Sequence, residues 1–270
     1  MLKIDLHTHS DFSDGTCSPA QVVRTMVQAG VRMLSLTDHD TTDGVAQAQA
    51  ACEGKSVLFT PGVEISTREH DYLHFTGYGI DLENKSFQNF LLDNRQKRLA
   101  RIRQILAQLQ AAGVDITEED VFSRAPNTVS RAHVADALRA KKIVGSRQEG
   151  FQKYLLPGTP GYVPSAGVTA LEAISQIKKA GGIAVIAHPG MVSSVWDFPA
   201  WKEAGLDGVE VFYPAHTATL KTELLSLARK YGLLCTAGSD YHGPSAGRTA
   251  PPGMYIPQPH YDRLLNILFR

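Results

Sequence analysis

The sequence has little that would tie it to a membrane, to an oxidising compartment or to duplex nucleic acid. Its 270 residues contain no run approaching the roughly 18 apolar residues of a membrane span. The opening Met1-Leu2-Lys3-Ile4-Asp5 lacks the charged and then apolar signature of a secretion signal, so a cytoplasmic protein without a membrane partner is expected. Cysteine is scarce: Cys17, Cys52 and Cys235 lie far apart and outside any C-x-x-C, which reads as reduced bystander thiols rather than disulfides or a zinc knuckle. An excess of either charge is missing too, with 27 Lys+Arg against 27 Asp+Glu, and no global positive field argues for duplex nucleic acid. Apolar residues, at 43%, are ample for the core of one large domain, with room for an insertion.

What is present is histidine in a particular setting. Ile4 and Leu6 alternate with polar neighbours, so Ile4 to Ser10 reads as a strand whose residues i and i+2 share a side, and His7 and His9 converge at its end. Asp11-Phe12-Ser13-Asp14-Gly15 is a turn that can aim Asp14 inward, and Ser18-Pro19 opens a helix running to Gly30. A second strand, Met33 to Thr37, delivers Asp38-His39-Asp40, and Thr42 is expected to cap the helix that follows, through about Cys52. Val57 to Ile65 is a third strand in which Glu64, flanked by Val63 and Ile65, points inward, where an unpaired charge is costly. His74 stands within a fourth apolar strand, Tyr72 to Tyr78.

From Asn84 the period becomes helical: Phe87, Phe90, Leu91, Leu99, Ile102, Leu106 and Leu109 mark one long basic helix ending at Gly113. Shorter helical segments are expected over 117–122, 130–140 and 146–155, so residues 83–167 read as a helical insertion in a domain made of 1–82 and 168–270. Strand and helix then alternate again, with strands over 183–187, 208–213 and 233–237 ending in His188-Pro189-Gly190, Tyr213-Pro214 and Gly238-Ser239-Asp240-Tyr241-His242, and a last helix over 260–269. About seven strands separated by helices predict an α/β fold, a β/α barrel with its parallel strands covered on both faces.

Active sites of β/α barrels lie at the carboxyl ends of the strands. His7, His9, His39, Glu64, His74, His188, Asp240 and His242 all fall at or near such ends, with Asp14 in the first loop. Core or surface histidines have no reason to gather on one edge of one sheet, so the set is read as metal ligands. Imidazole with carboxylate and no thiolate suits Mn²⁺, Zn²⁺ or Fe²⁺ and disfavours Ca²⁺. The ligands outnumber what one ion takes, so two or three divalent ions are expected, with Mn²⁺ first and Zn²⁺ or Fe²⁺ as alternatives. Glu64 is the natural bridging carboxylate.

His7-Thr8-His9, Thr37-Asp38-His39-Asp40, His188-Pro189 and Ser239-Asp240-Tyr241-His242 resemble, in order, the four motifs of the PHP (polymerase and histidinol phosphatase) family of metal-dependent phosphoesterases. The resemblance implies a distorted seven-stranded β/α barrel with a trinuclear site. Carried over by motif, His7, His9, Glu64 and Asp240 hold the first ion, Glu64, His74 and His188 the second, and Asp14, His39 and His242 the third. Some relatives carry histidine where this chain has Asp14. The chemistry expected is hydrolysis of a phosphate ester by in-line attack of a hydroxide bridging two cations, without a covalent intermediate. Glu64, Asp240, His188 and His242 form the catalytic set, and either of the last two is a candidate to protonate the leaving oxygen.

Substrate choice is assigned to the insertion. Asn127, Ser130, Arg131 and His133 stand at a helix start with Ser130 as N-cap, a good phosphate site. His216, just past the Phe212-Tyr213-Pro214 strand end, is a further phosphate-binding candidate, with Lys153 and Tyr154 weaker ones. Arg95, Arg98, Arg101 and Arg103 read as a solvated helix face. Within the PHP family, a barrel interrupted by a helical insertion carrying Ser-Arg-x-His resembles the branch that removes the 3′-phosphate from 3′,5′-nucleotide bisphosphates, as in phosphoadenosine phosphate to AMP. The same branch includes enzymes that trim short RNA from its 5′ end. The implied partner is a nucleotide bisphosphate, with short single-stranded RNA as the alternative. A histidinol phosphatase, for which the basic insertion has no use, and a non-catalytic metal-stabilised module are the remaining readings.

Overall fold

The computed structural model describes residues 1–125, 127–246 and 251–269. Its central sheet runs in the order β2 (Met33–Leu36), β3 (Leu58–Ser66), β4 (His74–Tyr78), β5 (Ile183–Ile186), β6 (Gly208–Phe212) and β7 (Leu234–Ala237). The N-terminal strand β1 (Leu2–Ile4) pairs antiparallel with β8 (Met254–Ile256), a short strand that the sequence did not announce. Past Ile4 the chain stays extended and joins the two sheet edges. Asp5 N–H donates to Met33 O at 2.8 Å, Leu6 N–H to Ala237 O at 3.0 Å, and Thr37 N–H to Thr8 O at 2.8 Å. The sheet thereby curls into a distorted α/β barrel with seven strands around it.

The direction of one strand corrects the parallel reading. β4 runs antiparallel to both β3 and β5, while β2–β3, β5–β6 and β6–β7 are parallel. His74, first residue of β4, pairs with Ser66, last residue of β3. It therefore stands at the mouth, the rim of the other strands' carboxyl ends, by being at an amino end.

The reversal also sets where the insertion starts. β4 ends at the floor, where Gly79 N–H donates to Pro61 O at 2.9 Å and Asp81 N–H to Ala180 O at 3.0 Å. From there α3 (Lys85–Ala111) climbs the outside of the barrel; its 27 residues span about 40 Å at 1.5 Å each. Asn84 caps it by accepting from Phe87 N–H. Its first turns bury Phe87 and Leu91 in the barrel's outer core, between the sheet and helices α7 (Ala170–Lys179) and α8 (Phe198–Glu203). From Ile102 onward it packs instead with α4 (Glu118–Phe122), α5 (Arg131–Ala140) and the π-helical turn Phe151–Leu155 in a second core around Leu106, Val134 and Leu138. The change of core along α3 falls between Leu91 and Ile102. The chain rejoins the mouth where Arg68 N–H donates to Val168 O and Ser165 Oγ to Thr67 O.

Local signals account for most element ends. Ser18 caps α1 (Pro19–Gln28) in a reciprocal pair with Gln21, and Ser130 caps α5 in the same way with His133. Thr42 does not cap α2 (Val45–Cys52): Gly44 precedes that helix, and the Thr42 hydroxyl bonds the Gln88 side chain instead. The segment 146–155 is not one helix but a single turn, α6 (Arg147–Gly150), running into the π-helical one. Gly150 lies against Ala135, where even a Cβ would come to 3.0 Å of that side chain. Helix α9 (Ala218–Tyr231) ends at Gly232, whose φ of +65° suits glycine, and α10 (Gln258–Leu268) closes the barrel floor.

Candidate metal centre

Glu64 is the hub of the mouth. It sits third from the carboxyl end of β3, wholly buried, and each carboxylate oxygen faces imidazole nitrogens. Oε2 lies 3.2 Å from His7 Nε2, 3.2 Å from His9 Nε2 and 3.1 Å from His39 Nδ1. Oε1 lies 2.9 Å from His74 Nδ1 and 2.9 Å from His188 Nε2. Five histidines from four segments of the chain therefore meet on one carboxylate. Asp240 Oδ1 stands 3.2 Å from His9 Nε2 and 3.6 Å from His7 Nε2, while its Oδ2 accepts from the Tyr213 hydroxyl. Asp14, in the first loop, brings Oδ1 to 3.1 Å from His242 Nε2 and 3.9 Å from His39 Nε2.

Such crowding is not ordinary hydrogen bonding. Several buried donor and acceptor atoms, among them His7 Nε2, His9 Nε2, His39 Nδ1, Asp14 Oδ1 and Glu64 Oε2, have no hydrogen bond of acceptable geometry although they point at one another. Buried polar atoms left in that state are costly, and a cation at their focus would satisfy them all. Their donor atoms fall into groups within 4.8 Å of one another: His7, His9, Glu64 and Asp240; His9, Asp14, His39 and His242; and His39, Glu64 and His74. The donor set and the clustering fit a multinuclear metal site. His9 and His39 each belong to two groups, so neighbouring ions would share a wall of ligands, and His188 reaches the third group through Glu64 Oε1.

The electrostatics agree. Burial opposes charge on Glu64, but the imidazoles of His39, His7 and His74 overcome it and hold the carboxyl well below its usual range. Burial pushes the imidazoles of His39 and His74 below their ordinary value, which keeps them neutral as ligation requires. Burial of His9 is outweighed by Asp240 and Glu64, which lift it to about 9, so a cation entering there takes the place of a proton. Backbone strain marks the same rim: Asp40, His188 and Asp240 have φ of 52°, 30° and 54°, left-handed values that non-glycine residues seldom adopt.

A cavity of about 740 Å³ opens from this cluster and is roofed by the insertion. Arg98, Arg101, Arg131 and Arg147 line the same cavity. Arg98 Nε donates to Asp40 Oδ2 at 2.5 Å and Arg147 pairs with Asp136. Arg101 and Arg131 share Asp71, at 2.6 and 2.9 Å, and the Arg131 guanidinium lies between the rings of Tyr72 and Phe151. Ser130 Oγ donates to Asp14 Oδ2 at 3.0 Å, so the insertion touches the acidic rim directly.

Several sequence expectations change here. Arg98 and Arg101, read as a solvated face, line the cavity, whereas Arg95 pairs with Asp43 and the exposed Arg103 with Glu118. His216 is not positioned for phosphate: its Nδ1 faces Val211 O at 3.0 Å and its Nε2 accepts from Gly190 N–H. His133 is a capping residue, Nδ1 accepting from Ser130 N–H at 3.0 Å, and lies outside the cavity lining. Asn127 is exposed and outside it as well. Lys153 is exposed and paired with Glu149, and Tyr154 packs in the core of the insertion. No described helix is long and apolar enough to cross a membrane.

Comparison with known proteins points the same way. The PHP domain model matches residues 5–153. A 3′,5′-nucleoside bisphosphate phosphatase of Chromobacterium violaceum is 36% identical over 92% of this chain and 90% of its own length. A 5′-3′ exoribonuclease of Salmonella typhimurium is 34% identical over 89% of this chain and 85% of its own. Among solved structures, a metal-dependent phosphoesterase from Bifidobacterium adolescentis superposes with a TM-score of 0.88 at 29% identity, covering 97% of this chain and 95% of that one.

Proposed function

The chain belongs to the PHP family of metal-dependent phosphoesterases, and from that premise we propose that it removes the 3′-phosphate from 3′,5′-nucleotide bisphosphates. The observation that carries the reading is one cavity lined both by the histidine–carboxylate mouth and by four arginines. A substrate with two phosphates suits two anion sites of different kinds, one made for hydrolysis and one for grip. Relatives support it, since one of comparable length acts on such bisphosphates.

His7, His9, Asp14, His39, Glu64, His74, His188, Asp240 and His242 would hold divalent cations, of which Mn²⁺ suits the donors. Bound there, cations would activate water and neutralise phosphoryl oxygens. The chain's own groups do the rest. Glu64 and Asp240 fix the imidazoles in one orientation and exclude bulk water from the floor of the mouth. Tyr213, whose hydroxyl donates to Asp240, and His188 line the cavity, and would border the leaving oxygen of a substrate bound there. Arg131, beside the Ser130 cap, would bind the phosphate that is not cleaved, with Arg101 next to it through Asp71.

A second reading, 5′→3′ trimming of short single-stranded RNA, has a specific support: exoribonuclease relatives match at nearly the same identity as the phosphatase. The two readings separate in one assay. With the Mn²⁺-loaded protein, kcat/KM for phosphoadenosine phosphate is expected to exceed that for a 5′-phosphorylated trinucleotide, and histidinol phosphate is expected to be a poor substrate. A higher value for the trinucleotide would make the protein an exoribonuclease.

A further inference from the structure

One carboxylate near the mouth does not face it. Glu210 lies in β6 between Val209 and Val211, with the valines in the outer core and its own side chain turned into the barrel, 1% exposed. Both of its oxygens approach His7 Nδ1, at 3.2 and 3.3 Å, on the ring edge opposite the Nε2 that points to Glu64 and Asp240. Its Oε2 also accepts the backbone N–H of His188 at 2.7 Å. That amide belongs to the residue with φ 30° and ψ 52°, whose Nε2 reaches Glu64 Oε1. Glu210 thus touches two of the clustered histidines from behind, one through its ring and one through its strained backbone.

The fit around it is close. Gly238 packs against the pair: a Cβ there would stand 2.3 Å from His7 Cβ and 2.4 Å from Glu210 Oε1. Only a residue without a side chain lets the carboxylate reach the ring. Burying a carboxylate is unfavourable unless hydrogen bonds compensate it, and these are the two bonds that do so.

We infer that Glu210 is a positioning residue for the metal centre, fixing the His7 ring so that Nε2 is the ligating atom and holding His188 in the left-handed turn that aims its ring at Glu64. A histidine's second nitrogen, tied to a carboxylate, sets both ring orientation and ligand basicity. Because Glu210 serves two histidines that meet different oxygens of Glu64, its loss would loosen two neighbouring ion positions together. The inference rests on reading the mouth as a metal centre.

The test is Mn²⁺ binding to the metal-free, folded full-length protein, followed by the paramagnetic signal of free Mn²⁺, with the melting temperature of the metal-free protein measured alongside. Glu210→Gln keeps an acceptor for the His188 N–H but offers the His7 ring one oxygen instead of two. It is expected to weaken Mn²⁺ binding roughly tenfold to hundredfold with the number of ions at saturation unchanged. Gly238→Ala, whose Cβ would crowd both His7 and the Glu210 carboxylate, is expected to weaken binding in the same sense. Wild-type Mn²⁺ affinity in folded Glu210→Gln, whatever its melting temperature, would overturn the inference and leave Glu210 a structural core residue. Failure of the wild-type protein to bind any divalent ion would instead strike the metal reading beneath it.

Discussion

The two walls of the cavity handle buried charge in opposite ways. At the mouth, three carboxylates, Glu64, Asp240 and Asp14, are surrounded by imidazoles, of which burial keeps His39 and His74 neutral while neighbouring carboxylates lift His9 to about 9. On the arginine wall each guanidinium already has a carboxylate: Arg98 has Asp40, Arg147 has Asp136, and Arg101 and Arg131 divide Asp71. The first wall is electrostatically incomplete without added cations. The second is nearly complete, with four guanidiniums on three carboxylates, and the surplus positive charge falls where one carboxylate is shared. Under the proposed function, that asymmetry puts the cleaved phosphate at the mouth and the retained one beside Asp71.

Three substitutions sharpen or break this contrast. Glu64→Gln keeps the shape of the hub and removes its charge. It is expected to lower kcat/KM about a thousandfold, the several kcal/mol that metal polarisation supplies, together with a loss of bound metal by elemental analysis. Full metal content with full activity would mean that the hub is not a ligand. Arg131→Ala, on the other wall, is expected to cost about 1.5–3 kcal/mol in kcat/KM for bisphosphates, as for a charged hydrogen bond, with monophosphate hydrolysis and metal content unchanged. An unaltered preference for bisphosphates over monophosphates would make the wall structural. Arg103→Ala removes a guanidinium from the same helix but from an exposed pair with Glu118, so its effect on melting should correspond to no more than about 0.2–1 kcal/mol, with no effect on activity. A catalytic defect there would show that the basic helix acts through its general field and not through the residues that line the cavity.

Much of the mouth was legible because strand geometry is local. A period of two places His7 and His9 together, and an acid between apolar neighbours, as at Glu64, signals an inward carboxylate. The same signal stood at Glu210, between Val209 and Val211, and would have found it. What sequence did not carry was the direction of β4, since strand sense depends on which neighbours a strand pairs with, a property of the whole sheet. It also misplaced Arg98 and Arg101, because a helical period tells which residues share a face and not what that face meets. His216 and His133 illustrate a third limit. Each histidine lies at a suitable position in the chain, but backbone groups engage its ring in a turn or a cap, and such bonds follow from three-dimensional closure.

The reversed fourth strand has a mechanical consequence for the insertion. The inserted helices are bolted at the floor by the start of α3, where Asn84 Nδ2 meets Lys179 O, and again at the rim, where Gly167 presses on the Ser66 carbonyl. The inserted helices are thus held at both ends of the barrel, with the 27-residue α3 running between the two anchorages. Under the proposed function, a substrate would meet the residues that line the cavity these helices cover.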